Sequence, residues 1–175
     1  MNLLPRAVLL CFGVSLLTLP AVAQSMQSDW GAKWANMRAY TLAVADAMPA
    51  ADYGYAPLDT GMMTFGEQLV HLAGNITWLS TSKLRDGARP PRSTVDPLDK
   101  AAVRRELETA FDLGAEVLAG LSYGDIQVTV EWFTGERLTR RRVGLLLFDH
   151  VTHHRAQAIV YLRMKGIAAP GYVGW

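Results

Sequence analysis

The residues best suited to chemistry in this 175-residue sequence are its four histidines. His71 stands alone, and three more cluster in Asp149-His150-Val151-Thr152-His153-His154. On a helix, at about 100° per residue, His150 and His154 project only about 40° apart and one turn from each other. Two imidazoles so placed can share one metal ion, and zinc-binding helices use this spacing. On the same wheel Val143, Leu146, Leu147, Ala158 and Tyr161 fall within about 60° of the bisector of the pair, so both rings are expected to face a core. His153 lies about 100° round from His154, at the edge of that face. The rival reading is a pair of hydrogen-bonded structural histidines. Two inward imidazoles one turn apart are costly to bury unpaired, which favours the metal. A lone helical histidine is more often structural, but His71 is the natural third ligand: it flanks the apolar stripe of its helix, with Trp78 two turns on and Glu67 and Asn75 one turn to either side.

Four helical segments must position these residues. The first runs from about Asp29 to Met48, with Trp30, Trp34, Met37, Leu42, Val44 and Met48 as apolar positions, and ends at Pro49 and the Gly54 to Pro57 stretch. The second opens at Thr64-Phe65-Gly66-Glu67, whose spacing predicts a capping box, and carries Phe65, Leu69, Leu72, Ile76 and Leu79 at helical spacing to about Lys83. Asp86 to Pro97 holds three prolines and reads as a long loop. Asp99 starts the third helix, with Val103, Leu107, Ala110, Phe111, Leu113, Val117 and Leu118 as its apolar set. Gly120 to Arg137 is turn-rich, with Ile126 to Val130 as a short strand or extended crossing. The fourth helix runs from about Thr139 to Lys165, stopped by Gly166 with Pro170 beyond. The expected fold class is all-α: an antiparallel four-helix bundle with a long loop, and a short extended segment between helices three and four.

Half of the residues are hydrophobic, enough for a sizeable core. Lysine plus arginine is 17 against 16 acidic residues, so no overall field draws nucleic acid. The one local excess, Arg140-Arg141-Arg142 with Arg137, reads as a solvated helix start. Residues 1–23 read as a secretory signal: Arg6 gives the positive start, Ala7 to Leu19 the apolar run, and Ala21-Val22-Ala23 a small-x-small cleavage site. Pro20 closes the run too early for a spanning anchor of about 20 residues. Processing would leave residues 24–175 as one periplasmic or secreted domain beginning at Gln24, with no stable membrane anchor. The only cysteine, Cys11, lies in the signal and follows Leu10, which does not suit lipidation. The mature chain thus has no disulfide and no cysteine nucleophile. A homodimer is compatible with these features.

The layout resembles the DinB/YfiT-like family of metal-binding four-helix bundles. The likeness rests on a histidine inside helix two, in Gly66-Glu67-Gln68-Leu69-Val70-His71-Leu72, and on the run His150-Val151-Thr152-His153-His154-Arg155-Ala156-Gln157 on the last helix. The close at Tyr161-Leu162-Arg163-Met164-Lys165-Gly166-Ile167 is also similar. The resemblance implies that His71, His150 and His154 are the ligands. Ala156 stands where many relatives have glycine. The export signal departs from the family, whose familiar members are cytoplasmic.

One divalent transition metal, zinc or nickel, is the expected cofactor, and three histidines leave at least one position on it open. Water held there ionises near pH 7, so the first functional reading is a metal-dependent hydrolase acting on a small molecule. A zincin would place glutamate after the first histidine, where this chain has Val151. Glu67 is the nearest candidate base, although capping is its duller role. Gln157 and Tyr161 are expected to face inward as hydrogen-bond donors to the ligands or substrate. A second reading is metal-dependent thiol transfer, which the resemblance suggests and an exported location disfavours. A third is a metal- or ligand-binding bundle without turnover. Haem is disfavoured, since there is no C-x-x-C-H site.

Overall fold

The computed structural model describes residues 26–58 and 61–175. The signal-peptide reading of residues 1–23 and the start at Gln24 lie outside the described residues. The described chain is mostly helical. Four long helices, α1 (Met26–Ala47), α2 (Phe65–Trp78), α3 (Lys100–Gly120) and α5 (Arg140–Met164), are joined by a short helix α4 (Tyr123–Gln127) and two strands, β1 (Thr129–Glu131) and β2 (Arg137–Thr139). Among the described residues no helix is long and apolar enough to cross a membrane.

Local sequence explains most helix ends. The Thr64 hydroxyl accepts from the Glu67 amide while the Glu67 carboxylate accepts from the Thr64 amide at 2.7 Å, completing the expected capping box. Asp99 caps α3 through the Ala102 amide, and Thr139 caps α5 through the Arg142 amide. Gly166 ends α5 at φ +73, a left-handed conformation that glycine adopts without steric cost. The Ile167 amide there reaches back to the Leu162 carbonyl.

Each long helix packs on two others: α3 on α1 and α2, and α5 on α1 and α2. The expected apolar positions of α1 and α2 are buried, including Trp34, Met37, Met48, Phe65, Leu69, Leu72 and Ile76. In α3, Leu113 is only partly buried at the edge of the core. Close helix approach uses small residues. A Cβ on Gly114 would stand 2.3 Å from the Trp34 ring, and one on Gly144 2.4 Å from Trp30.

The region between α3 and α5 departs from the sequence expectation. Ile126 and Gln127 belong to α4, which opens on a second capping box between Ser122 and Asp125. Only Thr129 to Glu131 is extended, and it pairs antiparallel with β2, Val130 opposite Leu138. The extended segment is therefore half of a hairpin, and the fold is a helical bundle with a fifth helix and a strand pair, not purely all-α. The end of α2 differs as well: Leu79 to Leu84 continues as a π-helical turn. Arg140 corrects the solvated reading of the basic run. It is buried, with an ion pair to Asp86 and Asp125 at 3.9 Å, while Arg141 and Arg142 are exposed.

Candidate metal centre

Helices α2 and α5 lie against each other, and this contact brings His71 to the pair on α5. His71, His150 and His154 each offer a nitrogen, and the three atoms lie within 4.8 Å of one another. Ring centroids are 4.4 Å apart for His150–His154, 4.6 Å for His71–His154 and 5.2 Å for His71–His150. Two nitrogens bound to one tetrahedral ion at 2.0–2.1 Å stand about 3.4 Å apart, so small ring rotations suffice to converge on an ion. His153, beside His154 with its ring centroid at 5.0 Å, is exposed and outside this group.

The surroundings keep the rings in the form a metal needs. Burial drives the His150 pKa down to about 4, helped by repulsion from His71 and His153. Burial likewise takes His154 down to about 3, with repulsion from His150, His71 and His153 adding to it. His71 is lowered by burial. All three are thus neutral at pH 7, the form in which an imidazole has a lone pair to offer a metal. Nδ1 of His150 is buried without a hydrogen-bond partner, a vacancy of bonding that an ion or a reoriented ring would fill. The residues present therefore fit a divalent ion in both donor chemistry and unmet bonding.

Each ring is held differently. Nδ1 of His154 lies 2.5 Å from Oε1 of Gln68, which can only accept. Nδ1 thus carries the proton and Nε2 keeps the lone pair. Gln68 also donates to the Tyr161 hydroxyl at 3.5 Å, and Tyr161 donates to the Met63 carbonyl at 3.0 Å. Asn75 donates to the His71 carbonyl at 3.1 Å, with the same nitrogen 3.0 Å from His71 Nε2. Tyr161 and Asn75 thus each touch a residue of the site, Tyr161 through Gln68 and Asn75 through His71. Gln157 instead meets His153 at 3.0 Å on the outer side, and its Oε1 is buried without a partner.

A cavity of about 1100 Å³ opens over the site, with His71 and His150 in its wall. Trp78 lines it as a neighbour of His71, and Glu67 lines it too while its carboxylate holds the Thr64 amide. Leu146, expected in the core, is 39% exposed and faces this cavity. The hairpin between α4 and α5 supplies Trp132 and Phe133, with Trp132 stacked on Trp78 at 5.8 Å. Sequence reading missed both aromatic residues. The signal was there in Thr134-Gly135, a turn pair between the alternating Val128 to Trp132 and Arg137 to Thr139. Gln68 was also missed, although it sits three residues before His71, on nearly the same helix face.

Comparison with known proteins agrees with the fold. The chain is 18% identical to a DinB-like protein, YjoA, of Bacillus subtilis, with a TM-score of 0.71 over 84% of this chain and 99% of that one. A DinB-like protein of Bacillus cereus ATCC 10987 is also 18% identical, with a TM-score of 0.72 over 86% of this chain and 99% of that one. No curated protein matches the chain. The DinB superfamily profile matches residues 33–158, most of the chain and all three clustered histidines, and the protein is a member of that superfamily.

Proposed function

We propose that the protein is an exported metal-dependent hydrolase that holds one zinc or nickel ion through His71, His150 and His154. The observation that carries this reading is that two corners of the histidine triangle, His71 and His150, stand in the wall of a roomy cavity. A site meant only to brace the fold would be closed by a fourth protein ligand, and none of the cavity's other described residues joins the cluster. In this reading the four long helices form an antiparallel bundle, and the cavity at the α2–α5 seam admits the substrate.

A bound divalent ion supplies a water that ionises near neutral pH and a charge to polarise a carbonyl or phosphoryl oxygen. The protein's own groups do the rest. Gln68 fixes the His154 ring with Nε2 turned away from its own hydrogen bond. The Met63 carbonyl and Gln68 hold Tyr161 in place behind it. A substrate seated on the apolar walls would displace water from them and strengthen each polar contact inside.

The test is a metal-replete screen against esters, amides and phosphoesters, with and without added thiols, run beside His71→Ala and the His150→Ala, His154→Ala double variant. Turnover without thiol, one metal per wild-type chain and neither in the double variant are expected. Turnover that needs thiol would replace hydrolysis by thiol transfer, and equal metal content in wild type and double variant would remove the site. Mass spectrometry of exported protein should find Gln24 first; a mature chain starting at Met1 would remove the export reading.

A further inference from the structure

The cavity has a chemical polarity that the histidines do not explain. Its walls carry Met62, Met63, Trp78, Trp132, Phe133 and Leu146, and several of these are exposed: Phe133 at 71%, Met62 and Leu146 at 39%. Large apolar side chains left open around one concavity mark a surface meant to be covered. On the same wall stand Arg89 and Arg92, contributed by the loop between α2 and α3. Neither pairs with a carboxylate among the described residues. Glu67 is the only carboxylate among the described lining residues, and it is engaged with the Thr64 amide.

The loop sequence Arg89-Pro90-Pro91-Arg92 explains how two cations are held at one rim. Each proline fixes its own φ and pushes the preceding residue towards extended backbone. The polyproline form has three residues per turn, so residues three apart return to the same side, about 9 Å along. All four residues of this segment line the cavity. Arg89 is pinned further: its guanidinium lies 4.6 Å from the Trp78 ring centroid, a cation–π contact that holds the charge against the wall. The root of the loop is tied down by the ion pair of Asp86 with the buried Arg140.

We infer that the ligand of this cavity is an amphipathic anion, with an apolar, ring-sized body against the aromatic walls and one carboxylate, sulfonate or phosphate group on Arg89 and Arg92. Guanidinium groups suit this task because their planar fork matches such oxyanions. The inference rests on the cavity being the substrate site of the hydrolase reading, and it narrows the substrate to molecules anionic at one end.

Binding separates the two claims, because it needs no turnover. Anilinonaphthalene sulfonate and its uncharged parent, phenylnaphthylamine, share one ring system and differ in the anionic group. Their affinities would be measured by fluorescence on the metal-loaded protein and on an Arg89→Gln, Arg92→Gln double variant, with circular dichroism to check folding. The sulfonate should bind the wild type more tightly, and the double variant should lose roughly tenfold for the sulfonate, the modest effect expected of two exposed charge pairs. The uncharged probe should be unaffected, and added salt should narrow the gap. The two probes binding the wild type alike, or both weakened equally by the double variant, would overturn the inference. Hydrolysis of neutral esters alongside such a result would leave the hydrolase reading standing; arginine-dependent binding without turnover would do the reverse.

Discussion

Oε1 of Gln68 on α2 lies 2.5 Å from Nδ1 of His154 on α5, so a neutral amide sets the tautomer of a charge-sensitive ring across the helix seam. The proton sits on Nδ1 and the lone pair on Nε2, ready for an ion. The same amide reaches the Tyr161 hydroxyl at 3.5 Å, tying the ring to a wider buried network.

Replacing this residue by an apolar one of similar size should weaken the metal without removing it. Gln68→Leu is expected to lower metal affinity about 10–100-fold, the usual effect of losing an orienting partner. Competition with a chromophoric chelator reads this directly. Unchanged affinity would mean that packing alone orients His154.

The metal-free protein should be acid-sensitive in a definite window. A free imidazole titrates near pH 6.5. Burial holds His150 at about 4 and His154 at about 3 in the folded chain. Between these limits the unfolded chain binds more protons than the folded one, so stability rises with pH there. This contribution is fully present above about pH 6.5 and is lost as pH falls through the folded values. Thermal midpoints in the presence of chelator, from pH 7 down to pH 4, should fall for the wild type more steeply than for a His150→Leu, His154→Leu double variant. Parallel profiles would show that other groups carry the acid response.

Gly66 tests how the cavity loop is seated on α2. A Cβ there would stand 1.8 Å from the carbonyl oxygen of Pro97, which is backbone and must move. Gly66→Ala should cost about 1–3 kcal/mol, or some 2–4 °C of melting temperature per kcal/mol in a chain of this size. A melting temperature equal to the wild type would show that the Pro97 end of the loop gives way freely.

Why the bundle and its histidines were legible in the sequence, and the cavity was not, follows from the range of the forces. Thr64 and Glu67, or Thr139 and the Arg142 amide, interact within one turn, so their spacing alone predicts helix starts. His150 and His154 are likewise fixed relative to each other by helix geometry. His71 joins them only through the packing of α2 on α5, which a helical wheel cannot give; there the family resemblance selected the third ligand. Gln68 was missed because its partner lies 86 residues away. Leu146 was assigned to the core because the wheel reports direction and not what fills it; the space it faces is the cavity. Arg140 reads as solvated beside Arg141 and Arg142, yet Asp86 at the root of a distant loop draws it inward. Trp132 and Phe133 needed the hairpin, whose short strands of three residues each give little alternation to read.

Glu67 can be asked directly whether it is a base or a cap. Its carboxylate accepts from the Thr64 amide at 2.7 Å, while the Thr64 hydroxyl accepts from the Glu67 amide at 3.3 Å. It also lines the cavity, one helical turn before His71, which keeps it within reach of the site. Glutamine serves equally well at this position of a capping box, because its amide oxygen can accept the same hydrogen bond, but it cannot take a proton at neutral pH. Glu67→Gln therefore keeps the helix start and removes only the basicity. With the carboxylate committed to the backbone, the variant should keep its melting temperature and show none of the ~10²–10⁴-fold loss that follows removal of a general base. Glu67→Ala should instead lose about 0.5–2 kcal/mol of stability, the cost of a broken cap. The two variants thus move different measurements: a large fall in turnover for Glu67→Gln at unchanged stability would make Glu67 the base after all, and the cap its secondary role.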